Sequence, residues 1–192
     1  HPMDQGMARE LLGLPSGKRL LLFGALNVTD KRKGIDYLIE ALRRMEKQDV
    51  ELVVFGQVKD DIRGLFPVPI HSMGYLSDES KIVALYNAVD MFITSSLEEN
   101  LPNTIMESMA CGTPCVGFEI GGIPEMIDHR VNGYVANYKD AGDLANGIQW
   151  VLEHEDRLAL SDACVKKVQE NYTEEVVAKQ YTALYEKLLK GE

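Results

Sequence analysis

The sequence predicts an α/β domain built on a mostly parallel sheet. Two observations carry that reading: short runs of β-branched and aromatic residues alternate regularly with amphipathic stretches of helical length, and glycine or proline punctuates the joins. At 192 residues, with 45% apolar composition, the expected organisation is one domain over residues 1–192, with a core large enough to hold without disulfides or metal staples.

The elements follow in order. RLLLFGAL (19–26) reads as a buried strand, GIDYLIEALRRM (34–45) as a helix and ELVVFG (51–56) as the next strand, which completes a β-α-β unit. HSMGYL (71–76) supplies a third strand. DESKIVALYNA (78–88) is a helix capped by Asp78, whose carboxylate can accept from the first free amides, and MFITSS (91–96) is a fourth strand. LPNTIMESMACG follows as a helix with Pro102 at its start and Gly112 at its end, and TPCVGF (113–118) is a fifth strand. GGIPEMIDHRVNGYVA reads as a glycine-bearing loop with a short strand near 133–136, and helices fill most of 140–190. Near the start, MARELLGLP is a short helical turn ended by Pro15.

Charge narrows the function classes. Thirty acidic residues against twenty Lys and Arg give a net charge of -10, which argues against a nucleic-acid surface. That field does not attract an anionic ligand either, so a phosphate site here must be local, made of backbone amides and one or two cations. Cys111, Cys115 and Cys164 are an odd number at low density, which suits a reducing compartment; a cytoplasmic protein is expected. Cys111 and Cys115 lack further ligands at zinc-site spacing and read as small buried side chains. No apolar run approaches the ~18 residues of a membrane span, and no signal-peptide pattern opens the chain.

In an open parallel sheet ligands gather at the carboxyl ends of the strands, so the loops there are where chemistry is sought. After the first strand, Arg32 and Lys33 precede Gly34 at a helix start; cations beside free helix amides make a phosphate clamp, and the same residues also fit a solvated charge cluster. After the fourth strand, Leu101, Ile105 and Met109 at i, i+4, i+8 mark a buried helix face, which turns Asn103, Thr104 and Glu107 toward the strand ends. Glu99 stands eight positions before Glu107, about 12 Å at helical rise. Two carboxylates then bracket a cluster of amides, a pattern that fits hydroxyl-rich groups on either side of a diphosphate: a ribose, a pyrophosphate and a sugar. Ordinary surface acids at a helix start look the same. In GGIPEM (121–126) the paired glycines allow a close backbone approach to a ligand, or simply make a turn.

The block SLEENLPNTIMESMACGTPCV, with seven residues between Glu99 and Glu107, resembles the Glu-to-Glu motif of the large retaining glycosyltransferase family that includes sucrose, glycogen and lipopolysaccharide-type synthases. RKG at the first helix, a strand ending at Gly56, GYLSDES, ALYNAVDMFITSS and GGIPEMIDHRVNGYV agree with it in order over nearly the whole chain.

The resemblance implies a Rossmann-like fold, one half of a GT-B enzyme, that binds a nucleoside-diphosphate-sugar as donor. It implies that Glu107 takes the ribose hydroxyls and that Lys33, with Arg32 beside it, takes the diphosphate. Glu99 and the segment Asn100, Leu101, Pro102, Asn103 and Thr104 would hold the transferred sugar and distal phosphate, and Gly74 and Tyr75 would lie against the base. Glu99 and Lys33 are the catalytic candidates. Catalysis in such enzymes rests on stabilising the departing diphosphate, so no metal or other cofactor is expected, in keeping with the absence of an Asp-x-Asp pair.

Relatives often carry an Arg six residues before the lysine, where this chain has Asn27. They also carry an amino-terminal domain that binds a glycan or lipid-linked acceptor. That domain is the expected partner, absent from these 192 residues, so the chain alone is expected to bind donor weakly and transfer nothing; the full-length enzyme would work in the cytoplasm, at the inner face of the membrane. Two other readings stand beside this one. A nucleotide-sugar epimerase shares the fold, but the surroundings of Glu99 and Glu107 favour transfer. A flavodoxin- or receiver-type interaction module would want paired acids where the first strand ends in Gly24, Ala25 and Leu26.

Overall fold

The computed structural model describes residues 1–27, 30–45, 49–57 and 63–190. In chain order the elements are α1 (Gln5–Leu12), β1 (Arg19–Asn27), α2 (Ile35–Arg44), β2 (Val50–Gln57), β3 (Ile70–Gly74), α3 (Glu79–Ala88), β4 (Met91–Thr94), α4 (Asn103–Ala110), β5 (Cys115–Phe118), α5 (Ile123–Met126), β6 (Gly133–Ala136), α6 (Ala141–Leu152), α7 (Arg157–Asn171) and α8 (Glu174–Lys190). Among the described residues all six strands run parallel, in the order β3-β2-β1-β4-β5-β6. The alternating pattern predicts the parallel sheet, and its doubly wound order is the Rossmann-like one that the resemblance implies.

The central strand shows why the sequence chooses this architecture. Leu20, Leu21, Leu22 and Phe23 are all buried, so β1 must be covered on both faces, which parallel crossovers achieve. Successive side chains point oppositely. Leu21 and Phe23 join a core with Leu38 and Leu42 of α2 and Leu144 and Ile148 of α6. Leu20 and Leu22 join the other, with Ala8 of α1, Leu85 of α3, Ile105 of α4 and Cys164 of α7.

Three local expectations are corrected. The first helix ends not at Pro15 but at Gly13, whose left-handed φ of 66° lets its amide reach back to the carbonyl oxygens of Arg9 and Glu10. GGIPEM is not all loop: Ile123–Met126 form a single helical turn with Pro124 in its opening positions, where a missing amide costs nothing. Leu101 is 44% exposed rather than buried, because α4 begins only at Asn103 and the helical repeat therefore covers Ile105 and Met109 alone. Asp78 does cap α3, accepting from the Ser80 amide at 2.9 Å. Cys111, Cys115 and Cys164 are free and buried, and burial pushes the Cys115 thiol up to about 12. Among the described residues no helix is long and apolar enough to cross a membrane.

Candidate functional site

The winding of the sheet reverses between β1 and β4, which are hydrogen-bonded neighbours, so the chain leaves their carboxyl ends in opposite directions. The two departing loops build the site. After β1, Asp30 caps a turn of 3-10 helix over Lys31–Lys33 by accepting from the Arg32 amide at 2.9 Å, and Gly34 closes that turn with φ 62°. A Cβ on Gly34 would stand 1.9 Å from the Ser95 carbonyl oxygen, so only glycine lets the first loop lie directly on the second. The loops are then joined by hydrogen bonds: Ser95 Oγ donates to the Lys33 carbonyl at 2.9 Å and the Leu97 amide donates to the Arg32 carbonyl at 2.7 Å.

That zipper delivers Lys33 Nζ to Glu99 Oε1 at 2.6 Å. The pair sits at the edge of water, with 31% of the lysine and 14% of the glutamate side chain exposed. Around it, Arg32, Lys33, Glu98, Glu99 and Asn100 line an open hollow of about 410 Å³. Its charges balance, two cations against two carboxylates, so an incoming anion must exchange with a resident one. Arg32 is already engaged: its guanidinium pairs with Asp30 at 2.7 Å and is largely in solvent. Those hydrogen bonds from Arg32 hold the Asp30 carboxyl down at about 2. Lys33 is thus the cation that faces the second loop, and Arg32 the one that faces its own.

The paired glycines support the second loop from its other side. Gly121, at φ 54°, would place a Cβ 1.9 Å from the Glu99 carbonyl oxygen, and the Gly122 amide donates to the Asn100 carbonyl at 2.5 Å. What these glycines approach closely is the protein's own backbone, in the segment that carries Glu99. Tyr138 adds a third brace, its hydroxyl donating to the Leu97 carbonyl at 3.0 Å.

Glu107 lies one helix further on. It is exposed on α4 and does not line the hollow; its Oε2 accepts from the Tyr86 hydroxyl at 3.1 Å. Asn103 is exposed and Thr104 half-buried in the first turn of α4, behind a buried Pro102 whose side chain offers no cap to the helix amides. Gly74 ends β3 in the left-handed region at φ 65°, which turns the chain outward and leaves Tyr75 63% exposed. The side chain of Asn27 lies outside the described residues. Sequence reasoning brought out Lys33 and Glu99 but not Tyr86, which reads as core in ALYNA, nor Asp30, which reads as one charge in a run.

A doubly wound parallel sheet with a charged hollow at its reversal point defines the class: a Rossmann-like α/β domain of the kind that makes half of a GT-B glycosyltransferase. The chain belongs to the family described as glycosyl transferases group 1, whose profile matches residues 17–154. It is 28% identical over 187 residues to an uncharacterized glycosyltransferase of Methanocaldococcus jannaschii, covering 92% of this chain and 47% of that one. Among solved structures it resembles sucrose-phosphate synthase from Thermosynechococcus elongatus, with TM-score 0.81 and 25% identity over all of this chain and 50% of the other. It also shares the fold of Anabaena HepE in a complex with UDP-glucose, with TM-score 0.79 and 20% identity over 97% of this chain and 53% of the other. The chain spans about half the length, or less, of the curated relatives it matches.

Proposed function

We propose that this chain is the donor-binding half of a retaining glycosyltransferase, which moves a sugar from a nucleoside-diphosphate-sugar to a glycan or lipid-linked acceptor held by an amino-terminal domain. The observation that carries the reading is the Lys33–Glu99 contact at the reversal point of the sheet, where one cation and one carboxylate from separate loops share an open hollow.

In this reading the diphosphate takes the place of Glu99 as the partner of Lys33. The lysine ammonium and the uncapped amides at the start of α4 then stabilise the charge that grows on the leaving diphosphate as the glycosidic bond breaks. Glu99, released from the ammonium, accepts hydrogen bonds from the transferred sugar together with the backbone of Asn100 to Thr104. Glu107 accepts from the ribose, and the turn at Gly74 and Tyr75 lies against the base. Lys33 supplies the positive charge that a metal provides elsewhere, so donor binding is expected to be indifferent to EDTA and to added magnesium. Transfer requires the acceptor domain, and the chain alone binds without turning over.

Calorimetric titration with a panel of nucleoside diphosphates and their sugars tests this on wild type and Glu107→Ala. The substitution should weaken binding by about 1–3 kcal/mol, the range for a charged hydrogen bond. Equal affinity in the two proteins would remove Glu107 from the donor site.

A further inference from the structure

We propose that Tyr86 is the positioning residue for the carboxylate at 107, fixing one of its oxygens so that the other is presented to a nucleoside ribose. The proposal rests on the donor-site reading above and extends it to a residue in the core of the domain.

Tyr86 belongs to α3 and its side chain is 1% exposed, one of the largest fully buried side chains in the molecule. Its ring packs edge-to-face with two others, Phe55 at 6.2 Å and Phe92 at 6.0 Å between centroids. Two such T-shaped contacts on a buried ring restrict its orientation. The neighbouring backbone is fixed too, since the Tyr86 carbonyl accepts from Thr113 Oγ1 at 2.7 Å. The phenol tip is therefore a rigid donor aimed from the core, and it meets Glu107 Oε2 at 3.1 Å.

Glu107, by contrast, stands exposed on α4, where a glutamate samples several rotamers and loses their entropy on binding. One hydrogen bond from an immobile donor removes part of that freedom before the ligand arrives, which is how a supporting residue improves a site it does not touch. Burial and the adjacent Glu107 carboxylate both push the Tyr86 phenol above its ordinary range, so the hydroxyl keeps its proton and remains a donor. In ALYNA the residue is an apolar helix position with one polar atom, and that atom is the part the core alone does not require.

The experiment compares ribose recognition, which a purely structural tyrosine would not alter. UDP, GDP and ADP are titrated beside their 2′-deoxy forms into wild type, Tyr86→Phe, Glu107→Ala and the double variant, each checked for folding by its thermal transition. Phenylalanine keeps the ring and its edge-on contacts. Wild type should prefer the ribonucleotide. Tyr86→Phe should lower that preference by about fivefold, the size of one hydrogen bond. Adding it to Glu107→Ala should change the preference no further, since the two act as a unit. A Tyr86→Phe protein that binds both forms more weakly by the same factor, or that lowers the preference in the absence of Glu107, overturns the positioning role and leaves the donor site standing. A wild type without ribose preference, or Glu107→Ala with full preference, overturns the donor assignment of Glu107 itself.

Discussion

The two rims of the sheet each carry a lysine or arginine paired with a carboxylate, yet the pairs are built for opposite ends. At the amino rim Asp90, just before β4, is 2% exposed and saturated: Arg9 reaches one oxygen at 3.0 Å and Arg157 the other at 2.6 Å, the Leu20 amide adds 2.7 Å, and Arg19 stands at 3.5 Å. Arg9 is itself fully occupied, donating to the carbonyls of Ala88, Ser16 and Lys18. At the carboxyl rim the Lys33–Glu99 pair rests on a single contact beside an open hollow. A charge whose hydrogen bonds are all spent inside the protein can only hold the fold, and one with bonding capacity facing water can exchange partners. The difference separates an ion pair spent on the fold from one that keeps bonding capacity at the surface.

The contrast can be broken from either side. Asp90→Ala carries the largest expected effect: it strands Arg9 in the interior, and loss of one partner of a buried pair costs about 3–5 kcal/mol. Chemical denaturation should show that loss while nucleotide affinity per folded molecule stays unchanged. Lys33→Ala should do the reverse. Stability should change by about 1 kcal/mol, since the pair is only partly buried and makes a single contact, whereas affinity for a nucleoside diphosphate should fall by about 1.5–3 kcal/mol. A Lys33→Ala protein that melts early but binds normally would place this pair in the same class as Asp90.

A smaller change sharpens the comparison. Glu99→Gln removes the counter-ion that competes for Lys33, so a bare nucleoside diphosphate should bind tighter, by about 1 kcal/mol or less. The nucleotide-sugar should lose its advantage over the bare nucleotide, because the carboxylate proposed to take the sugar is gone. Titrating both ligands into both proteins reads the two shifts.

The smallest effect is a pH dependence. Asp30 has its carboxyl lowered from the ordinary 3.8 to about 2, chiefly by hydrogen bonds from Arg32. A depressed carboxyl stabilises the folded state above its unfolded value and loses that contribution as pH falls through the folded one, here between 3.8 and 2. An NMR titration of the Asp30 carboxyl should find its midpoint near the lower figure, and Arg32→Ala should return it toward the upper.

Much of this was legible in the sequence because it is local. Apolar runs such as RLLLF specify a strand covered on both faces, and Asp78 announces the helix it caps. The loop carrying Lys33 and the loop carrying Glu99 could each be picked out by their placement after a strand. What joins partners far apart in the chain was not legible from local pattern: Lys33 and Glu99, 66 residues apart, were put on one donor only by the resemblance, and nothing pointed to the pairing of Arg9 and Asp90, 81 apart. Leu101 misled for a related reason. Its spacing continues the repeat of Ile105 and Met109, but Pro102 sets the helix to begin after it, so the periodic position falls in loop. Pro124 was the opposite case, a residue that ends helices in their interior but opens one here.

The order of the six strands has one consequence for how such a hollow comes to exist. Where neighbouring strands send their chains to opposite sides, a gap opens between them as a by-product of connectivity, with no side chain removed to make it. Replacing the groups along its walls therefore changes its chemistry and leaves the space itself intact, so the scaffold can be refitted without being refolded.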